Sequence, residues 1–82
     1  MAKFYVAYDL DKPGQNYPNL WDELDSLGAQ RVQDSVCALE SKSTAVAIRD
    51  TLQQHIDKND RLLVVKSVAS AWQNLMFNPT KL

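Results

Sequence analysis

Glycine, cysteine and histidine are nearly missing from this chain, and each shortage closes off a class of function. Its only glycines are Gly14 and Gly28, too few for a loop whose backbone cradles phosphates. A single cysteine, Cys37, excludes an intrachain disulfide and a cysteine-built zinc site. Flanked by Val36 and Ala38, it reads as an inert core thiol. The single histidine, His55, lacks a second histidine to share a metal and reads as a last-turn residue favoured by the helix dipole. No nucleophile elbow or zinc-protease helix occurs. No apolar run approaches the ~20 residues of a membrane span. Met1-Ala2-Lys3 leads straight into a strand pattern without a signal-peptide profile, so a cytoplasmic protein with no membrane partner is expected. An excess of one charge is missing too: nine Lys and Arg stand against ten Asp and Glu, for a net charge of −1. The basic residues are spread thinly, so attraction to a polyanion would need the fold or a partner subunit to gather them.

What is there is an ordinary globular composition, 45% hydrophobic and 23% charged. A single domain of 82 residues buries only about 60–65% of its unfolded surface, so an oligomer is expected. The chain is organised around Lys3–Asp11, an apolar run of Phe, Tyr and Val that ends in carboxylates and reads as a strand buried on both faces, hence a central one. Alternation places Phe4, Val6 and Tyr8 on one face, and Tyr5, Ala7, Asp9 and Asp11 on the other. Asp9 and Asp11 would then lie roughly 6.5–7 Å apart at Cα, close enough for one hard cation to bridge them with waters. The alternative is that they solvate a strand end and open a turn.

Pro13-Gly14 marks a turn, Asn16 can cap, and Pro18 suits a first helical turn. Tyr17, Leu20, Trp21, Leu24 and Leu27 recur at helical spacing up to Gly28, predicting a helix over about 18–27 with Trp21 as a core anchor. Two strands follow, about 30–34 and 36–40, joined by a bend near Asp34-Ser35. Ser41, Ser43 and Thr44 offer caps for a second helix carrying Ala45, Ile48, Leu52 and His55-Ile56 on one stripe. A polar turn leads to a strand over 61–66. The order predicts an α+β, ferredoxin-like βαββαβ sandwich over residues 1–68, with an extra C-terminal segment, 69–82. Two helices cover one sheet face, and the expected dimer closes the other. The segment is too apolar for a free tail and should dock on its own or the partner subunit. Trp72 and Phe77, with Tyr5 on the open face, are the candidate interface residues.

Val6-Ala7-Tyr8-Asp9-Leu10, a helix ending Leu27-Gly28, and Arg31-Val32-Gln33-Asp34-Ser35-Val36 together resemble the second core CRISPR-associated protein. This is the small ferredoxin-fold subunit of the spacer-acquisition complex, and the virulence-associated protein D ribonucleases are similar in outline. The resemblance covers about residues 3–67. It implies a homodimer with Asp9 at the dimer cleft, where two symmetry-related carboxylates hold Mg²⁺ or Mn²⁺ for phosphodiester cleavage of RNA or DNA. Asp9 would be the catalytic residue, Asp9 and Asp11 the metal ligands, and Arg31, Ser35 and Lys12 the nucleic-acid contacts. It equally implies a scaffold that binds DNA beside a CRISPR integrase subunit without cleaving it. A third class is a protein-interaction module, such as a toxin held by an antitoxin through the apolar tail. The chain departs from the pattern in having few basic residues before the first helix, Cys37 where an aromatic is common, and a slightly negative net charge. These departures point to a stand-alone relative.

Overall fold

The computed structural model describes residues 1–11 and 17–82. A first strand, β1 (Ala2–Asp9), leads to helix α1 (Pro18–Ser26), strands β2 (Gln30–Gln33) and β3 (Val36–Ser41), helix α2 (Ala45–Gln53) and strand β4 (Arg61–Ser67). The four strands form one antiparallel sheet in the order β2-β3-β1-β4. This is the α+β, ferredoxin-like arrangement expected. The turn expected at Pro13-Gly14 and the cap expected at Asn16 lie outside the described residues.

The helices form for local reasons and dock for apolar ones. Pro18 occupies the first turn of α1, where its missing N–H is not needed. The helix stops at Gly28, whose φ of +76° places it in left-handed backbone. Gly28 N–H then bonds Asp25 O and Ala29 N–H bonds Leu24 O, each at 3.0 Å, closing a Schellman motif. Thr44 caps α2 by accepting from Ala47 N–H at 3.1 Å. Leu20 and Leu24 from α1, and Ile48 and Leu52 from α2, meet Phe4, Val6 and Tyr8 of β1 and Cys37 and Leu39 of β3. That is one continuous core on one face of the sheet. Trp21 packs at its rim, with ring centroids 5.5 Å from Tyr8 and 6.4 Å from Tyr17.

Three expectations need correction here. β1 stops at Asp9 rather than Asp11, and its second face, Tyr5 and Ala7, is half-buried rather than fully buried. α2 ends at Gln53, so His55 sits beyond the helix; its Nε2 lies 3.3 Å from Glu23 Oε1 and ties the two helix ends together.

The other sheet face is divided. A bulge between Arg31 and Gln33 breaks the β2–β3 ladder at Val32. The freed Val32 carbonyl accepts from Met76 N–H at 3.0 Å. The C-terminal segment thus folds back over its own β1–β3–β2 surface, turning through Asn74 in left-handed backbone (φ 58°). Tyr5 Oη meets Ser70 Oγ at 3.2 Å. Tyr5, Val32, Val36, Ala71, Trp72 and Leu75 border a cleft of about 200 Å³. Beneath this segment Val32 and Ala38 are almost wholly buried. A short 3₁₀ turn, Pro79–Lys81, closes the chain, capped by Asn78 Oδ1 accepting from Thr80 N–H at 3.0 Å. On the β4 side Leu63 and Val65 remain exposed, as does Val68 just beyond.

Candidate functional site

The end of β1 gathers most of the chain's candidate chemistry. Because β1 and β4 run antiparallel, the last residue of one lies opposite the first residue of the other, and Asp9 pairs in register with Arg61. Asp9 Oδ2 accepts from Arg61 Nη1 at 2.9 Å. Both side chains are open to water, 68% and 82% exposed respectively. Ala7, Tyr8, Leu62 and Leu63 join them around a cleft of about 240 Å³.

Asp11 takes a different course. With the strand ended at Asp9, alternation no longer sets its side chain beside that of Asp9. Its backbone N–H donates instead to Asp60 Oδ1 at 2.6 Å. The same oxygen accepts from Tyr17 Oη at 3.3 Å, and Asp60 Oδ2 accepts from Asp57 N–H at 2.8 Å. One carboxylate therefore fastens the exit of β1, the entry of α1 and the turn before β4. Sequence reading passed over Asp60 as a polar turn residue and Arg61 as a strand start. Strand order carried the signal for Arg61, since the end of β1 must face the start of β4.

Of the expected nucleic-acid contacts, Ser35 is brought near this end: its carbonyl accepts from Tyr8 N–H at 3.0 Å. Arg31 is exposed on β2, opposite Cys37 in the ladder. Lys12 lies outside the described residues. Burial pushes the Tyr8 hydroxyl above its ordinary pKa, helped by Cys37, while Arg31 pulls it down. Burial also raises the Cys37 thiol, against the opposing effect of Tyr8 and Arg31. Arg31 is thus electrostatically coupled to a Tyr–Cys pair at the core's edge. The raised thiol matches the inert role read from its flanks.

Mg²⁺ or Mn²⁺, the ions implied by resemblance, bind through about six hard oxygen ligands. One chain offers Asp9, already ion-paired, and among the described residues no three His, Cys, Asp or Glu side chains come together. The single chain does not fit such an ion at Asp9. Among the described residues no helix is long and apolar enough to cross a membrane.

An antiparallel β2-β3-β1-β4 sheet, two helices on one face and an acidic residue closing the central strand define a ferredoxin-like α+β protein. The model of the family described as CRISPR associated protein Cas2 matches residues 1–75. The chain belongs to that family, whose role is CRISPR-associated.

Proposed function

We propose that the chain acts as a homodimeric, nucleic-acid-contacting subunit of CRISPR adaptation, working in the cytoplasm beside an integrase subunit. The observation that carries this reading is the bare half of the open face. Leu63 (60% exposed) and Val65 (44%) form an apolar strip along β4, with Val68 (97%) exposed just beyond its end. Such a strip is costly to leave in water and is self-complementary about a two-fold axis. With a net charge of −1, tight nucleic-acid contact needs residues gathered from two subunits or from the partner complex. The proposed dimer places a second copy's basic residues within reach.

Light scattering on the full chain at micromolar concentration should give twice the chain mass. A variant carrying Leu63→Glu and Val65→Lys should give the single mass with unchanged circular dichroism. A monomeric wild-type protein would remove the reading.

Metal-dependent endonuclease activity is the second reading, supported by Asp9 at the end of a central strand in a chain of this family. Wild type and Asp9→Asn, incubated with short RNA and DNA and Mg²⁺ or Mn²⁺, separate the two. Cleavage lost in the variant supports catalysis; equal cleavage, or none in either, removes it.

A further inference from the structure

We propose that Arg61 is the resident cation of Asp9: its guanidinium holds the carboxylate where a divalent ion would have to bind, and excludes that ion. The first support is the bond itself, a 2.9 Å contact between Arg61 Nη1 and Asp9 Oδ2 within the charge-assisted range. The second is how it is set. Asp9 and Arg61 are direct cross-strand partners, so the ladder holds their backbones together and the side chains meet without a loop having to order.

The third support is that, among the described residues, no three His, Cys, Asp or Glu side chains come together. Asp60, just before β4, is already engaged: both its oxygens accept hydrogen bonds, from Asp11 N–H, Tyr17 Oη and Asp57 N–H. Recruiting it to a metal would unfasten the β1 exit. Within one chain an incoming ion would therefore meet one carboxylate, displace a guanidinium, and then sit within a few ångströms of that positive charge. Repulsion between +2 and +1 charges at about 5 Å in water weakens binding by about tenfold or more.

The pair does little for folding. With side chains 82% and 68% exposed, it belongs to the class of surface ion pairs whose contribution is small. Arg61 can therefore be replaced without unfolding the chain, which makes the assignment testable. The pair itself forms within one chain.

The test is a MnCl₂ titration of ¹⁵N-labelled full-length protein, following paramagnetic broadening of the Tyr8–Leu10 and Arg61–Leu63 amides. Mass is measured in parallel by light scattering, so failure of the dimer reading registers separately. Wild type should show no selective broadening at these amides. Arg61→Gln should broaden them selectively at about tenfold lower Mn²⁺ than any effect in wild type. Arg61→Lys should behave like wild type, because it keeps the charge. The double variant Asp9→Asn, Arg61→Gln should lose the selective effect. Selective broadening in wild type at the Mn²⁺ concentration that serves Arg61→Gln would overturn the proposal. So would its persistence in the double variant.

Discussion

The open face of the sheet is two surfaces made from the same residue types. On the β2–β3 side Val32 is 2% exposed; on the β4 side Leu63 is 60% exposed. Both are branched apolar residues on strands of one sheet, and both sides look alike in sequence. The difference is the C-terminal segment, which crosses one half and leaves the other. Burial here is set by reach: the chain returns along the bulged edge because the bulge offers Met76 a free carbonyl at Val32. The β4 half has no comparable anchor among the described contacts, and there a second copy has room to dock.

Removing the cover gives the largest expected effect. Ending the chain after Val68 uncovers Val32, Ala38 and part of Tyr5, and deletes the Met76–Val32 bond. Re-exposing that apolar surface should cost on the order of 3 kcal/mol, lowering the melting temperature by roughly 10–20 °C in a domain of this size. An unchanged melting curve would mean that the segment contributes nothing where it lies, and the contrast between the halves would collapse.

A matched pair of substitutions sharpens the contrast at smaller cost. Val32→Ala removes methyls from a packed site and should destabilise by about 2 kcal/mol. Val65→Ala changes a residue 44% exposed in one chain and should shift folding stability by no more than about 0.5 kcal/mol. Urea unfolding of the two variants, made in the Leu63→Glu background to keep both monomeric, checks this. Equal losses would show that the two halves are equally covered.

The elements were legible in the sequence because periodicity reports burial. Phe4, Val6 and Tyr8 alternate and are buried; Leu20 and Leu24, like Ile48 and Leu52, recur at helical spacing and are buried. Gly28 marks a helix end, and Ser41, Ser43 and Thr44 mark a start at which Thr44 is the cap, for stereochemical reasons that need no tertiary context. The C-terminal segment was illegible in detail, since it is held by isolated contacts, Tyr5–Ser70 and Met76–Val32, rather than by a repeating ladder. The candidate site was half legible. Asp9 stands out at the end of its strand, but its partner lies 52 residues away and emerges only from the β1–β4 register. For Asp11, alternation does not extend two residues past the strand; its N–H turns toward Asp60, in keeping with the alternative that it opens a turn at the strand end.

The smallest effect is expected at the boundary between the two surfaces. In register, Tyr5 lies opposite Ala38 on the covered side and Val65 on the bare side. Its hydroxyl meets Ser70 at 3.2 Å, near the point where the C-terminal segment leaves β4. Tyr5→Phe keeps the ring and removes that bond. A partly exposed hydrogen bond of this kind contributes about 0.5–1 kcal/mol, so the melting temperature should fall by only a few degrees. The loss should be local. If the segment opens as a unit, as weakly held elements do, the Met76 amide should exchange about two- to fivefold faster. Amides of Phe4 and Val6, under the helices, should keep their rates relative to global unfolding. An unchanged Met76 rate would show that Ser70 does not hold the segment. Equal acceleration in β1 would show that the covered half and the helical core open together, and the division of the sheet into independent surfaces would not stand.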